Sequence, residues 1–157
     1  VYKRQLYEEG VRLSFEQWGL SGDCEAYLAD ATSLPASYVD PLGKESNTGE
    51  TGAITVKWDE RGDFETNLEQ IITQKWLAIF PSGFEAWCEF RRTGYPRLMP
   101  ATNNRSGGVI PQGGYANRMP YPVEEYQENN AHINEALTLL GGPDNMATRL
   151  WWDCKVK

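Results

Sequence analysis

The chain is poor in the groups that carry most catalytic and metal chemistry. It has one histidine, His132, and three cysteines, Cys24, Cys88 and Cys154, whose spacing makes no metal signature. No basic run exceeds Arg91–Arg92, and the formal charge is −7. A nucleic-acid surface needs a cationic footprint to displace counterions, so that partner class is excluded. No apolar run nears the roughly 20 residues that span a bilayer, and neither a signal peptide nor a lipid-attachment cysteine can be read. There is no Ser–His–Asp pattern with a nucleophile turn, no Gly-rich phosphate loop between a strand and a helix, and no internal repeat. An odd cysteine count leaves at least one thiol unpaired. Cys88 reads as a small core residue, and Cys24 and Cys154 can pair only if the fold brings them together.

Aromatic residues, by contrast, are plentiful: six tryptophans and eight tyrosines in 157 residues, a length that normally makes one domain with a usable core. The densest signal is Leu68 to Pro96, LEQIITQKWLAIFPSGFEAWCEFRRTGYP. Ile72, Trp76, Ile79, Gly83, Trp87 and Phe90 recur at the three- and four-residue spacing of one helix face. The stripe stays in phase across Pro81, so the spacing predicts one helix, bent where Pro81 removes a hydrogen bond and ended by Gly94 and Pro96. Asp63 is the expected N-cap, with Glu65 in the first turn. Trp76 and Trp87 are expected to be largely buried against helices at 2–18 and 122–140.

Residues 2–18 read as a first helix, with Leu6, Gly10, Leu13 and Trp18 on one side and Val11 and Phe15 widening the stripe. Gly10, costly in a helix interior, suggests a close crossing by another helix. Glu25 to Ala29 reads as a short helical turn. Residues 31–63 are rich in turn formers, with only Ile54, Val56 and Trp58 alternating as a short extended rung; the segment reads as a surface excursion pinned by Trp58 or as a binding loop. Residues 94–121 hold four prolines and five glycines and no periodicity. This long loop is expected to be ordered by the helices beneath it, with Asn103–Gly108 its most mobile part. Pro122, Glu124 and Glu125 open another helix, continued by Tyr126, Asn130, Ile133, Leu137 and Leu140 and capped by Gly141. Asp144 is expected to cap a last short helix carrying Met146, Leu150, Trp151 and Trp152.

Few residues suggest chemistry. Glu85 and Glu89, four apart, share a helix face as a pair of carboxylates, but Glu89 and Arg92, three apart, can form an ordinary helix-surface ion pair. Asp40, Asp59, Glu60 and Asp63 offer oxygen ligands without the spacing of a dedicated calcium loop. Arg91 borders the apolar stripe and is placed to bind carbonyls at the helix end or to hold the long loop. Trp76, Trp87 and Trp151 read as core. Tyr38, Tyr95 and Tyr115 lie in irregular stretches and are the aromatics freest to meet a ligand, with packing against the scaffold as the competing role.

The blocks IITQKW, FEAWCEFRRTGYP and MPYPVEEYQEN, with YEEGVRLSFEQWG near residue 10, ITVKWDE near residue 56 and the terminal RLWWD, occur in one order along nearly the whole chain. In that order they resemble the C-terminal part of SusD/RagB-type nutrient-binding outer-membrane lipoproteins, in the branch associated with starch binding. The departure is IPQGGYANRM at Ile110 to Met119, a Gly-rich spacer where the family usually runs from a proline almost directly into an arginine.

The resemblance implies a mainly α fold, an irregular helical domain with long loops. It also implies that the single unit 1–157, opening at Val1 inside a helix, is the C-terminal piece of a larger SusD-like domain. The family's tetratricopeptide-like helices would lie mostly upstream. The resemblance further implies non-catalytic capture of a glycan or another nutrient at the surface of the outer membrane, with no cofactor. The implied partners are an oligosaccharide or polysaccharide, a SusC-like TonB-dependent transporter, and the missing N-terminal part of the same protein; the lipid anchor would lie outside this chain. Tyr38, Tyr95 and Tyr115 are the candidate glycan contacts, with no catalytic or metal residue. A glycoside hydrolase using paired carboxylates and a purely structural helical scaffold are the alternatives.

Overall fold

A computed structural model describes residues 2–42, 46–47, 52–99 and 104–154. The opening residue Val1, Asn103 at the start of the expected loop tip, and parts of the 31–63 and 94–121 stretches lie outside the described residues. The chain forms two compact units, one from residues 1–37 and 50–98 and the other from 38–49 and 99–157.

The first unit carries helices α1 (Tyr2–Gln17), α2 (Cys24–Leu28), α3 (Phe64–Ala78) and α4 (Gly83–Thr93). α1 ends in a Schellman turn: Gly19 takes φ 70°, its amide donates to the Glu16 carbonyl, and the Leu20 amide donates to the Phe15 carbonyl. α3 starts as expected, with the Asp63 carboxylate accepting from the Thr66 amide at 2.8 Å. Tyr7, Val11, Cys24, Leu28 and Trp58 form the core, with Phe15 and Tyr27 packed on it.

Several expectations need correction here. The Leu68–Thr93 tract is two helices, not one bent helix. Pro81 disfavours helical geometry at Phe80 and offers no amide, so α3 stops at Ala78. Tight bonds from the Phe80, Ser82 and Gly83 amides to the Leu77, Ile79 and Pro81 carbonyls then turn the chain into α4. α1 turns Tyr7 and Val11 inward and leaves Leu6, Leu13 and Trp18 exposed. Among the described residues no atom outside α1's own neighbouring backbone stands within 4 Å of where a side chain at Gly10 would begin, so no close crossing is seen there. Trp76 and Trp87 are half-buried, as is Cys88. All three cysteines are free thiols.

Trp58 does pin the excursion, being buried against Tyr7 with ring centroids 5.2 Å apart. Ile54 to Trp58 form no strand. Their backbone is instead held by Gln70 of α3, which is almost fully buried. Its side-chain amide donates to the Thr55 and Lys57 carbonyls at 3.1 and 2.8 Å and accepts from the Asp59 amide at 3.2 Å. Asn67, one turn earlier, donates to the Asp59 carbonyl at 3.0 Å. An extended segment inside a helical unit thus finds hydrogen bonds in side chains, beside one backbone bond from the Lys57 amide to the Asp30 carbonyl at 2.8 Å.

The second unit contains an antiparallel pair, β1 (Tyr38–Val39) and β2 (Ser46–Asn47), with Tyr38 opposite Asn47. It also contains α5 (Val123–Glu128) and α6 (Asn130–Leu140). The expected single helix is broken at Asn129, which takes φ −129° and ψ 37°. Successive asparagines favour local side-chain bonds over helix continuation, and Asn129 donates to Glu125 at 2.9 Å. α6 ends at Gly141 with φ 72°, as expected. Residues 143–154 form turns, not the expected last helix, because the Asp144 carboxylate is used elsewhere. Trp151, expected in the core, is 89% exposed.

Candidate functional site

In the helical unit, Arg4, Glu8 and Arg12 lie one turn apart on α1 and so share a face. Loop residue Glu60 and α2 residue Glu25 extend the row at its two ends. Arg4 bonds Glu60 at 2.9 Å and Glu8 at 2.7 Å, while Arg12 lies 3.5 Å from Glu8 and 2.8 Å from Glu25. Arg12's hydrogen bond holds the Glu25 carboxyl below its usual range. With Lys57 and Trp58 these residues line a cleft of about 260 Å³. Alternating charge beside an aromatic wall suits a hydroxyl-rich ligand, which both donates and accepts. The i, i+4 spacing of Arg4, Glu8 and Arg12 was visible in the sequence, but their convergence with Glu25 and Glu60 was not.

Two apolar grooves lie in the same unit. One, of about 440 Å³, runs between α1 and α3 along Leu6, Gly10, Val11 and Ile71; the other, of about 600 Å³, covers the α3–α4 turn at Trp76, Ile79 and Pro81. Trp18 and Leu77 border both, and the Trp18 and Phe80 rings lie 6.4 Å apart.

The three tyrosines singled out from the sequence fall in different units. Tyr95 belongs to the helical unit, where its hydroxyl donates to Glu65 at 2.9 Å. Burial and that bond raise the Tyr95 phenol's pKa. Tyr38 and Tyr115 belong to the other unit. Tyr38 is 48% exposed on β1, whereas Tyr115 is half-buried, and burial raises its phenol's pKa.

The remaining candidates have structural partners. Lys75 stands 3.4 Å from Glu85 and 2.9 Å from Glu89, and Arg92 bonds Glu89 at 2.6 Å. Burial pushes the Glu89 carboxyl up, but these two cations outweigh it and the carboxyl sits below its usual range. A general acid for glycoside hydrolysis needs the opposite shift. Arg91 lies over the Trp87 ring at 4.1 Å. Asp40 and Asp59 accept from the amides of Leu42 and Arg61, Asp63 caps α3, and Glu60 binds Arg4. Among the described residues no group of acidic, histidine and cysteine side chains is set to hold a metal ion.

The Gly-rich spacer resolves into a turn, with the Gly114 amide donating to the Pro111 carbonyl at 2.9 Å. A side chain at Gly114 would crowd that carbonyl at 3.0 Å, and Gly113 before it takes φ 77°, which favours glycine. Beyond it, buried Arg118 bonds Asp144, which also accepts from the Tyr121 amide and, at 2.5 Å, from the Tyr126 hydroxyl. Burial pushes the Asp144 carboxyl up, yet the Tyr126 and Arg118 bonds outweigh it and hold it below its usual range. Asn117 adds bonds to the Met146 and Ala147 carbonyls, both at 2.8 Å.

The family described as SusD-like, Susd and RagB outer membrane lipoprotein, matches residues 2–153. The chain belongs to the SusD-like family. A SusD homologue from Bacteroides uniformis is 54% identical over 97% of this chain and 32% of its own, with a TM-score of 0.90. A chitin-binding SusD homologue from Flavobacterium johnsoniae is 44% identical over 98% of this chain and 32% of its own, also with a TM-score of 0.90. A SusD homologue from Parabacteroides distasonis remains similar at 29% identity and a TM-score of 0.72, over 96% of this chain and 28% of its own. This SusD-like chain therefore spans about a third of the length of the solved structures it matches. No curated protein matches it. The mainly helical fold agrees with the family, which is one of outer-membrane lipoproteins. Among the described residues no helix is long and apolar enough to cross a membrane.

Proposed function

We propose that this chain is part of a non-catalytic glycan-capture lipoprotein at the outer surface of the outer membrane, handing oligomers to a SusC-like TonB-dependent transporter. The reading is carried by the 44% identity, over 98% of the chain, to a SusD homologue that binds chitin. Tyr38, Tyr95 and Tyr115 are the proposed glycan contacts. Tyr38 is the strongest of them, because its ring is half exposed and an exposed aromatic face can stack on the apolar face of a sugar. Tyr95 contributes through the hydroxyl it already holds against Glu65.

Against the hydrolase alternative stand the Lys75 and Arg92 contacts of Glu89, which hold its carboxyl below the usual range where a general acid needs the opposite shift. The test is calorimetric titration of the full-length protein with chitin oligosaccharides and a panel of plant and host polysaccharide fragments, with reducing ends assayed in parallel. The expected result is saturable binding without new reducing ends, weakened by Tyr38→Ala. Reducing-end release that disappears in Glu85→Gln or Glu89→Gln would overturn the reading, as would no binding to any glycan.

A further inference from the structure

The charged cleft at Trp58 has more hydrogen-bonding capacity than its own ion pairs use. Arg4 gives Nε to Glu8 and Nη1 to Glu60, and Arg12 gives Nε and Nη2 to Glu25. Among the described residues nothing accepts from Arg4 Nη2, Arg12 Nη1 or the Lys57 ammonium, and nothing donates to Glu60 Oε2. Arg4, Arg12 and Lys57 balance Glu8, Glu25 and Glu60, so the lining carries no net charge. Leu28, Ala29 and Trp58 supply its apolar part. Because the ion pairs are linked in a row, the long side chains are held before any ligand arrives, which lowers the cost of ordering them on binding.

We infer that this cleft is a separate carbohydrate site, for one neutral pyranose ring with free vicinal hydroxyls, the terminal unit or a branch of a glycan. Three observations point to that ligand. The first is size. At about 260 Å³ the cleft falls below the roughly 300–1,000 Å³ of sites for drug-sized ligands, which leaves room for one ring and not for a chain. The second is the pattern of unused groups. Arg4 and Glu60 are bonded to each other at 2.9 Å, so the spare N–H of one lies beside the spare oxygen of the other. A vicinal diol answers that pattern, since each hydroxyl both accepts and donates. The third is charge. A ligand carboxylate would face Glu8, Glu25 and Glu60, and a ligand ammonium would face Arg4, Arg12 and Lys57. Either would place an uncompensated charge in a balanced lining, so the cleft selects against uronic acids and free amino sugars. None of Tyr38, Tyr95 and Tyr115 lines it. The inference therefore rests on the glycan reading only for the class of ligand, not for the residues.

The test is saturation-transfer NMR on the full-length protein. The neutral probes are the methyl glycosides of glucose, galactose, mannose and N-acetylglucosamine; glucuronic acid and glucosamine are the charged ones. At least one neutral probe should bind saturably, and both charged probes should bind more weakly. Lys57→Ala and Glu60→Ala should each weaken the neutral probe about fivefold, the loss of one hydrogen bond to a charged lining group. Both side chains are exposed, and the Lys57 ammonium has no partner to lose, so its removal leaves the row of ion pairs intact. Affinity unchanged in both variants would overturn the inference, as would charged probes binding as tightly as neutral ones. Binding lost in Tyr38→Ala but kept in Lys57→Ala and Glu60→Ala would place the sugar at the tyrosines, defeating this site while the glycan reading stands. Saturable binding of oligosaccharides with no signal from any single-ring probe would likewise defeat this site alone.

Discussion

The unit built on α1 to α4 buries aromatic and aliphatic side chains, Tyr7, Val11, Leu28 and Trp58 among them, whereas in the unit carrying α5 and α6 one apolar residue among those described, Ile133, is buried, beside the charged Arg118. The first unit has an apolar core, with the buried Gln70 and Asn67 side chains of α3 tying the 55–59 backbone beside it. The second takes up its own backbone polar groups through short polar side chains. Asn104 donates to the Ile110 and Pro111 carbonyls, Ser106 accepts from the Ile110 amide, and Asn145 accepts from the Ala147 and Thr148 amides. A Pro- and Gly-rich stretch can therefore be well ordered without a core, provided asparagine, serine and aspartate side chains satisfy its backbone.

This contrast can be broken at its strongest point in each unit. Trp58→Ala should cost about 4 kcal/mol, the range for emptying a large buried aromatic site, read from urea unfolding of the full chain followed by far-UV circular dichroism. A loss under 1 kcal/mol would mean that the helical unit does not depend on its core. Asp144→Ala should cost about 3 kcal/mol, because it strands the buried Arg118 guanidinium and the Tyr121 amide together. That effect should appear in near-UV signals of the second unit, and an unchanged melt would show that the polar node is ornamental.

Acid sharpens the same point. The folded Asp144 carboxyl titrates below its unfolded value, so between the two values the unfolded chain binds more protons and falling pH favours unfolding. The Asp144 contribution is therefore complete above about pH 4, the ordinary carboxylate value, and is lost as pH drops through the folded one. Asp144→Asn should flatten the acid limb of a stability-against-pH plot; an identical limb would rule Asp144 out as its source. A smaller effect is expected from Asp63→Ala, about 1 kcal/mol for the lost α3 cap, measurable as a shift in the urea midpoint. Smallest of all, Trp151→Ala should change stability by less than about 0.5 kcal/mol, since its ring is in solvent.

The sequence showed the helices best where caps bracketed an apolar repeat. Asp63, Thr93 with Gly94, and Gly141 mark helix ends where expected. Continuity was harder to read, because an apolar stripe can keep its phase across a break. That is why Leu68–Thr93 and 122–140 each read as one helix and fold as two. The inward face of α1 was misjudged because leucines at 6 and 13 outweighed Tyr7 in a hydrophobic count, although Tyr7 buries its ring and donates its hydroxyl to the Val56 carbonyl. Long-range polar partners were not legible. Nothing local in the sequence ties Arg118 to Asp144, or Gln70 to Thr55 and Lys57. Of the candidate site, the tyrosines could be named from their irregular surroundings, but the charged cleft could not, since it needs Glu25 and Glu60 brought to α1 by the fold.

Gln70 gives this architecture a chemical clock. Its amide uses its nitrogen to bond two carbonyls and its oxygen to bond an amide. Slow hydrolysis to glutamate, the ordinary ageing reaction of side-chain amides, would replace that nitrogen with a second acceptor oxygen, facing the Thr55 and Lys57 carbonyls. The change in bulk would be slight and the change in charge a single unit, yet the segment that carries Trp58 into the core would face repulsion where it had been tied. Burial keeps water from that amide while the fold is closed, so the change could begin only when this latch opens.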